Sequence, residues 1–594
     1  MTFFDELKRR NVLRVAAAYI VTAWLIIQVA ETIFPQYGLE HHVRTVITIL
    51  AIGFIPAMIL AWALEWTPAG IRLDAGEATA ADSAAAARVG RKFDRIVIVI
   101  LTVALGWFVY DKLVPPAPDF QYSIAVLPFD NESPDAMPDY LADGLSGEVR
   151  DLLAKLPELF VIARTSAFSF KGQDVAIPEI GSRLGVSHLL TGAVTQVGTG
   201  LRIRARLLDA GSGAELWSKA YTGSLNDVFA IQDEIAGDVV DGLDLESDTS
   251  LPAARRTTPE VYALTLQARQ LWYDEVTLGI GDKMAALLEE ALEIDPHYTP
   301  AMVWMIYANH SRQQGGLMSK EEENERWLAL AARILAIEPD NASAHSMFAW
   351  QALYVDRDLQ AAASSYARAL SSAPNDVEVL RTVARFAFLI GRKDDALAII
   401  DRSMAVDPLC SLCLYGASRI YMYADRLDRA VALRQRFITM HDQGQYEFGI
   451  MKLLQGKAAE ALAIFKDLEQ RMAQSEMPND GRAHAGLAMA LHDLGRPGES
   501  DEQLAMLIDN WGEPYPEQVA QVYAWRNDRD EAFEWLEKDE DLAPRQAMMV
   551  LDPVYRNLHD DPRWAAVRAA RGSSERQLAA LEFPIGLLSQ YRGQ

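Results

Sequence analysis

The sequence contains very little cysteine: only Cys410 and Cys413 occur among its 594 residues. The fold therefore cannot rest on a framework of disulfides, and a zinc site of four cysteines is excluded within one chain. The pair forms a C-x-x-C motif that no histidine follows, which excludes covalent haem attachment. Because the motif begins a helix just after Pro408, two interpretations stay open: a local disulfide across the first helical turn, or two buried free thiols.

The sequence also lacks the short motifs that carry common catalytic chemistry. It contains no phosphate-binding loop of the form G-x-x-x-x-G-K-[ST], no H-E-x-x-H zinc motif and no nucleophile elbow. Its ten histidines are scattered, and the adjacent His41 and His42 suit a solvated loop better than a metal site or a pH sensor. We therefore expect no catalytic residue, no cofactor and no metal, and a binding or assembly protein rather than an enzyme.

Positive charge is scarce relative to negative charge. Lysine and arginine number 56 against 82 aspartate and glutamate, which gives a net charge of −26. Such a protein repels nucleic acid, so we expect no nucleic-acid partner, and it favours partners with basic patches. A long helical array can also carry an acidic solvated face that binds nothing.

Long apolar runs lie within the first 115 residues, at positions 12–34, 45–64 and 96–114. Each run has close to the roughly 20 residues that a helix needs to cross a bilayer about 30 Å thick. Basic residues precede the first run and fill the loop between the second and the third, which places the N-terminus in the cytoplasm by the positive-inside rule. The sequence therefore predicts a multi-pass protein of the bacterial cytoplasmic membrane, in contact with the lipid bilayer and with its C-terminal domains in the periplasm.

Residues 120–245 alternate between β-type and helical patterns in the order βαβαβββα. This order predicts an α+β domain whose mixed sheet carries helices on one side. Arg202, Arg204 and Arg206 alternate along one predicted strand and so share one face of the sheet. That face could bind an anionic ligand or an acidic partner, or it is a solvated face with acidic neighbours on the adjacent strands.

This region carries a family resemblance. The strings IAVLPFDNESPD, YLADGLSGEVRDLLAKLPELFVIARTSAFSFKGQ, IGSRLGVSHLLTGAVTQVGTGLRIRARLLDAGSGAELWSKAY and FAIQDEIA resemble, in that order, the TolB N-terminal-like (FlgO-like) domain. In bacterial proteins this domain precedes tetratricopeptide repeats, and the N-terminal FFDELKRRNVLRVAAAYIVTAWLIIQVAE is similar to the membrane leader of the same proteins. Adenylate-cyclase-like and CadC-like relatives add a cytoplasmic module before that leader. With about eleven residues before the first predicted membrane helix, we expect this chain to match only their non-catalytic part.

The rest of the chain is helical and self-similar. Helices end at acidic-proline or similar stops whose prolines lie 43, 35 and 34 residues apart: Pro296, Pro339, Pro374 and Pro408. Glycine turns followed by small residues recur at Gly391, Gly456 and Gly495. These strings resemble tetratricopeptide repeats, whose period is about 34 residues. We predict six to eight repeats over residues 258–545 and a C-terminal capping segment over 546–594.

The predicted fold is thus multidomain, with three transmembrane helices, an α+β domain and an all-α repeat superhelix. The concave face of such a superhelix binds extended peptides or helices of partner proteins. We expect a membrane-anchored periplasmic interaction scaffold or assembly factor. The alternative is a transmembrane receptor that relays periplasmic binding to a cytoplasmic protein. Self-association, through the sheet edge or the membrane helices, stays open.

Overall fold

The computed structural model divides into two compact units, residues 1–116 and 117–594. The residues that it describes are 23–24, 64–67, 70–73, 122–133, 137–156, 158–198, 200–245, 256–274, 279–314, 317–474, 480–538, 549–570 and 573–591. In the first unit, strands β1 (Leu64–Thr67) and β2 (Gly70–Leu73) form an antiparallel hairpin in which Leu64 lies opposite Leu73.

Among the described residues, no helix is both long enough and apolar enough to cross a lipid bilayer. This finding corrects the predicted three-helix membrane domain, the inner-membrane and periplasmic localisation, and the transmembrane receptor that depended on it. The prediction rests on apolar composition, whereas a span also requires an uninterrupted helix. Leu64, the last residue of the second predicted segment, instead begins a strand. The segments 12–34, 45–64 and 96–114 lie almost wholly outside the described residues, as do His41 and His42.

Residues 122–245 form a mixed sheet. In this described part its strands are β3 (Ser123–Val126), β4 (Asp130–Asn131), β5 (Phe160–Val161), β6 (His188–Val197), β7 (Gly200–Asp209) and β8 (Glu215–Ser224). The strand order is β5-β3-β6-β7-β8, with β4 paired to β6. β3 runs parallel to both β5 and β6, whereas β6, β7 and β8 form an antiparallel meander. The mixed sheet agrees with the predicted order of elements.

Helices cover both faces of this sheet. Helices α1 (Asp139–Leu153) and α4 (Val228–Gly242) pack on the face that carries Ile124 and Val126. The short helices α2 (Arg164–Phe168) and α3 (Ile177–Leu184) pack on the face that carries Ala125. The prediction of helices on one side is therefore wrong. All four residues of β3 are buried, and a strand buried on both faces requires a layer on each.

The described residues from 259 to 537 form eight helical hairpins with the fold of tetratricopeptide repeats. Because the connections are short, the two helices of each hairpin are antiparallel neighbours. The hairpins are α5 (Pro259–Asp274) with α6 (Ile280–Ile294), α7 (Thr299–Gln314) with α8 (Lys320–Ile337), α9 (Ala342–Gln351) with α10 (Leu359–Ser372), α11 (Val377–Leu389) with α12 (Lys393–Val406), α13 (Ser411–Tyr423) with α14 (Leu427–His441), α15 (Gln445–Leu454) with α16 (Ala458–Gln474), α17 (Arg482–Asp493) with α18 (Pro497–Trp511), and α19 (Pro516–Arg526) with α20 (Arg529–Glu537).

The hairpins are arranged in two layers. Several successive first helices, such as α9 with α11, α11 with α13 and α15 with α17, contact each other more closely than the second helices do. The first helices therefore form the inner layer of the superhelix, and the second helices diverge on the outside. The predicted proline stops lie two residues after the ends of α6, α8, α10 and α12.

The turn inside a hairpin uses one residue in the left-handed conformation. The residues with φ between 57° and 94° at these turns are Gly279, Arg357, Gly391, Asp425, Gly456, Gly495 and Asn527. This conformation closes the end of the first helix and reverses the chain. Glycine adopts it without steric cost, whereas a residue with a Cβ does not.

The C-terminal residues extend the repeat array and then return to its middle. A 3₁₀ turn (Pro553–Leu558) and α21 (Pro562–Ala570) pack on the last hairpin, where the Asn557 side chain donates to the carbonyls of Ala524 and Trp525, each 3.0 Å away. The short helices α22 (Glu575–Ala579) and α23 (Ile585–Ser589) follow. Helix α23 lies against α10 and α12, and Glu582, between the two short helices, accepts a hydrogen bond from Gln360 of α10. Within the predicted capping segment 546–594, residues 549–570 thus pack at the end of the array, whereas residues 582–591 return to its middle.

We expect Arg357→Gly to raise the free energy of unfolding by about 1 kcal/mol, because glycine removes the cost of a positive φ at a residue with a Cβ. Gly391→Ala should lower it by about 1 kcal/mol for the same reason. The space around Gly391 is open, so the loss would report backbone strain rather than a clash. Urea unfolding of the two variants and the unchanged chain measures both changes.

Gly498→Ala is the matched control, because Gly498 lies in the first turn of α18 with open space around it and no positive φ. Alanine is the better helix former there, so this change should leave stability unchanged or raise it. A similar loss in the Gly391 and Gly498 variants would contradict the assigned turn conformation.

Candidate partner-binding face

The inner layer of the array carries aromatic and arginine side chains four residues apart. On α13 these are Tyr415, Arg419 and Tyr423, and on α11 they are Arg381 and Arg385. Residues four apart lie on one side of a helix, so each set faces a single direction. All five side chains are partly exposed. Together with Trp350 and Tyr354 of the preceding hairpin, we name these residues the arginine-aromatic stripe.

Two guanidinium groups of the stripe are held by aromatic neighbours. The guanidinium carbon of Arg385 lies 5.5 Å from the ring centroid of Tyr354. Arg419 donates from Nε to the Tyr423 hydroxyl at 3.2 Å. In the part of the chain that the structure describes, no carboxylate lies within ion-pair distance of either arginine. Both groups therefore retain the capacity to bind a carboxylate, which a guanidinium does with paired hydrogen bonds.

The tyrosines of this face stay protonated at neutral pH. Burial raises the pKa of Tyr415, Tyr423 and the nearby Tyr446 above the ordinary value of 10.0. A protonated phenol can donate one hydrogen bond while its ring presents an apolar surface. The stripe therefore combines the positive charge of its arginines, the Tyr423 hydroxyl as a hydrogen-bond donor and the flat apolar area of its rings on one face.

A buried arginine supports the stripe from behind. Arg434 of α14 is fully buried, and its guanidinium carbon lies 4.2 Å from the ring centroid of Tyr415. Its Nη1 lies 3.9 Å from Oε2 of Glu447, whose Oε1 accepts a hydrogen bond of 2.9 Å from the Tyr415 hydroxyl. Burial acts to raise the pKa of Glu447, but the charges of Arg434 and Arg419 outweigh it and lower that pKa. Glu447 is therefore an anion that holds Arg434 and Tyr415 in place.

The C-terminal cap reaches the same face. Asp552 caps the 3₁₀ turn by accepting a hydrogen bond of 3.1 Å from the backbone N–H of Val554. Burial raises the pKa of Asp552, and the charge of Arg419 opposes that rise. The carboxylate therefore lies within electrostatic range of Arg419 but beyond ion-pair distance.

Cys410 and Cys413 form a disulfide across the first turn of α13, with 5.2 Å between their Cα atoms. Cys410 is also the N-cap of this helix, because its sulfur accepts a hydrogen bond of 3.0 Å from the backbone N–H of Cys413. The preceding first helices are capped at the equivalent positions by Asn341 and Asp376. The motif therefore stands at a capping position of the repeat.

Asp407 lies beside the disulfide, and its carboxylate oxygen and the two sulfurs lie within 4.8 Å of one another. Metal ligation by cysteine requires free thiolates, and these sulfurs are bonded to each other. The Asp407 carboxylate accepts a hydrogen bond from the Ser166 hydroxyl of the α/β domain. These residues thus already satisfy one another, and we assign them a role in packing.

The three arginines predicted on one strand lie on β7 and are exposed, while the residues between them are buried. Arg204 forms an ion pair of 2.7 Å with Glu132, which also accepts a hydrogen bond from Thr195. Arg202 lies opposite Thr195 and Thr222, and Arg206 lies opposite Thr191 and Ser218. The structure does not bring these three residues together with the arginine-aromatic stripe.

Sequence reasoning missed the stripe itself. Its signal is the four-residue recurrence of arginine and tyrosine in first helices, as in Tyr415, Arg419 and Tyr423. That recurrence has meaning only once the helices are assigned to the inner layer. Arg434 and Glu447 gave no sequence signal, because their pairing depends on the packing of three helices.

Comparison with known proteins gives a partial likeness. The chain matches no protein-family model. It is 36% identical over 186 residues to "Putative adenylate cyclase 3" of Rhizobium meliloti (strain 1021), which corresponds to 31% of this chain and 32% of the relative. The chain thus matches about a third of that relative's length. No family membership follows from this match.

Solved structures of repeat proteins are similar to parts of the array. A thermophilic TPR protein of Thermus thermophilus covers 34% of this chain and 99% of its own, at 19% identity and a TM-score of 0.26. A tetratricopeptide repeat protein of Parabacteroides merdae covers 50% and 99%, at 13% identity and 0.28. Pseudomonas aeruginosa pilF covers 41% and 99%, at 14% identity and 0.30. These TM-scores lie below 0.5, and the repeat fold is established by the hairpin packing described above.

We expect Glu447→Gln to lower the free energy of unfolding at pH 7 by about 3 kcal/mol, because it leaves the buried Arg434 charge without its anion. The folded-state pKa of Glu447 lies below its ordinary value of 4.5. Its contribution is therefore complete above about pH 4.5 and is lost as the pH falls through the lowered pKa. Urea unfolding at pH 7 and below pH 4 should show the difference between the two chains shrinking.

Glu502→Gln is the control, since Glu502 is an exposed carboxylate on α18. Its effect on stability should be within about 0.5 kcal/mol, as is usual for surface changes. Equal losses for the two variants, or a difference that does not depend on pH, would contradict the proposed role of the Glu447 charge.

The capping position of Cys410 gives a further prediction. The chain with Cys410→Asn and Cys413→Ala should be more stable than the chain with Cys410→Ala and Cys413→Ala by about 1 kcal/mol, because asparagine restores the hydrogen bond to the helix N-terminus. Both chains lack the disulfide, so thermal unfolding compares the cap alone. Identical midpoints would show that residue 410 does not cap α13.

Proposed function

We propose that this chain is a protein-protein interaction scaffold that binds an extended segment of a partner along the arginine-aromatic stripe. The observation that carries the proposal is the pair Arg385 and Arg419, two guanidinium groups on adjacent inner helices that ion-pair with no carboxylate in the described residues. An inner layer of first helices is the surface on which helical arrays take peptides. We propose a binding role and no catalytic one.

The chemistry of the stripe selects a peptide with a few placed acidic side chains. Neighbouring helices lie about 10 Å apart, and an extended chain advances about 3.3 Å per residue. Two carboxylates roughly three residues apart would therefore reach Arg385 and Arg419 together. The net charge of −26 disfavours polyanions, so acidity alone is not sufficient for binding. Aromatic side chains of the stripe would pack on the peptide between its acidic residues.

The α/β domain is proposed to hold the array rather than to bind a ligand. Its helix α1 packs on α5, where Arg269 donates to the Glu148 carboxylate at 2.8 Å. A Cβ at Gly144 would lie 2.2 Å from a methyl carbon of Leu266, so this contact requires glycine. The resemblance to a TolB N-terminal-like domain supplies a precedent for a domain placed before repeats. In this proposal the domain fixes the start of the superhelix.

The proposal predicts a spacing rule. Fluorescent twelve-residue peptides with two glutamates separated by one to five positions should bind the full chain best at a separation of about three. Arg385→Glu and Arg419→Glu should each weaken that binding at least tenfold, because a paired charge-assisted contact is replaced by repulsion. Fluorescence anisotropy measures the dissociation constants.

The control is Arg333→Glu, which reverses an exposed charge on α8 whose side chain donates to a backbone carbonyl at 3.2 Å. This variant should bind as the unchanged chain does. Binding that ignores the glutamate separation, or that weakens equally in all three variants, would reject the stripe as the binding surface.

A further inference from the structure

The outer layer contains a groove between α10 and α12. The second helices diverge on the outside of the array, so the first helix α11 lies at the floor between them. Phe386 of α11 is fully buried there, and its ring centroid lies 5.1 Å from that of Tyr366 on α10. We name this surface, formed by residues of α10, α11 and α12, the outer groove. It is distinct from the arginine-aromatic stripe.

The chain's own tail, residues 573–591, occupies the outer groove. The Gln360 side-chain amide of α10 bonds twice to the backbone of Glu582: its Nε2 donates to the carbonyl at 3.0 Å, and its Oε1 accepts from the N–H at 2.8 Å. At the far end, the Tyr591 hydroxyl donates to the Pro374 carbonyl at 2.7 Å. Paired bonds to a backbone recognise an extended peptide whatever its side chains, as strand addition does.

Three apolar side chains of the tail supply the specificity. The Phe583 ring centroid lies 5.7 Å from that of Phe386. Leu588 is fully buried and Tyr591 nearly so, and both belong to the hydrophobic core that contains α10, α11 and α12. By contrast, Ile585 keeps 48% of its surface exposed. The groove therefore contacts Phe583, Leu588 and Tyr591, and Leu587 also packs against this core, whereas Ile585 stays largely outside it.

The tail depends on the groove for its structure. Helices α22 and α23 have five residues each. Helices this short are unstable in isolation, because the free-energy cost of nucleating a helix exceeds the stabilisation from the few hydrogen bonds of one turn. Most tail side chains between the anchors are exposed. The tail is thus an ordered peptide held by a few anchors, and such segments open at low free-energy cost.

We propose that the outer groove is a second peptide-binding site, that the tail is its intramolecular occupant, and that it accepts a partner segment of the same pattern. The pattern is an extended Phe-Pro followed by leucine five residues after the phenylalanine and tyrosine eight residues after it. The partner is a protein that carries such a segment near a terminus or in an exposed loop.

The covalent connection between the tail and the array determines when a partner segment can enter the outer groove. A tail joined to the array by a short connection has an effective concentration on the order of millimolar. A partner segment that makes only the same contacts competes poorly, and one that binds elsewhere on the array at the same time competes well. The outer groove would therefore bind a partner segment only when the same partner also binds to the arginine-aromatic stripe. This last step rests on the proposed function, whereas the existence of the groove site does not.

The test uses the full chain and a fluorescent peptide with the sequence of residues 577–594. Phe583→Ala weakens the tethered tail, so the peptide should bind this variant at least tenfold more tightly than the unchanged chain. Adding Gln360→Ala to that variant should weaken binding about tenfold, because the paired backbone bonds are lost. A peptide with alanine at the position of Phe583 should not bind.

Ile585→Ala is the matched control within the tail, since it removes a largely exposed side chain, and it should bind the peptide as poorly as the unchanged chain does. Equal binding to the Phe583 and Ile585 variants would overturn the proposal. A dimer of the unchanged chain that forms by exchange of tails, seen by sedimentation, would also overturn it, because the tail would not be an intramolecular occupant.

Hydrogen exchange gives a second measurement that needs no peptide. In the otherwise unchanged chain, Gln360→Ala should raise exchange over residues 581–588 at least tenfold while α11 keeps its protection. Unaltered exchange in the tail would show that the amide bonds do not hold it. Failure of this site leaves the stripe untouched, because the charge-reversal variants of Arg385 and Arg419 test that surface separately.

Discussion

Contacts on α12 and the turn after it decide how the whole array is arranged. The Ser166 hydroxyl of the α/β domain donates to the carboxylate of Asp407 and accepts from the N–H of Leu409 at 2.9 Å. On α12, Arg402 lies 4.5 Å from the ring centroid of Phe160, and burial lowers its pKa to about 10 while the nearby Tyr591 opposes that shift. A repeat array normally contacts only its sequence neighbours. Here the α/β domain, which precedes the array, and the tail, which follows it, both contact α12 or the turn after it. These contacts restrain the curvature of the helices between them.

Local signals in the sequence predicted several helix ends and turns of the repeating part of the fold. Prolines near 34 residues apart marked the ends of α10 and α12, and Gly391, Gly456 and Gly495 marked turns between helices. Arg357 and Asp425 adopt the same conformation without glycine, so sequence alone did not reveal those turns. The C-x-x-C motif was compatible with either a disulfide or two free thiols. In the structure Cys410 and Cys413 form a disulfide, and Cys410 lies at a capping position.

Long-range contacts were beyond sequence reasoning. Ser166 and Asp407 are 241 residues apart, and Gln360 and Glu582 are 222 apart, so no periodicity relates them. The five-residue helix α2 was missed because it is shorter than any pattern that hydrophobic spacing can indicate. The membrane prediction was wrong for another reason. The length of an apolar run indicates how readily its side chains leave water, but it does not show that the backbone forms a helix. The candidate site was missed because it requires knowing which helices face inward.

Helix α12 and the turn after it contact both the α/β domain and the tail, and this arrangement has a mechanical consequence. Arrays of helical hairpins bend and stretch elastically, since each interface yields a little and the small displacements add. In this chain the α/β domain joins α5 to the turn after α12, and the tail joins the last hairpin back to α10 and α12. The array therefore contains two closed loops of contacts that share helices α10 to α12, and neither loop can lengthen until the bonds that close it break. If a force pulled the two ends of the array apart, its length would change little until the closing contacts broke, and the array would then extend abruptly.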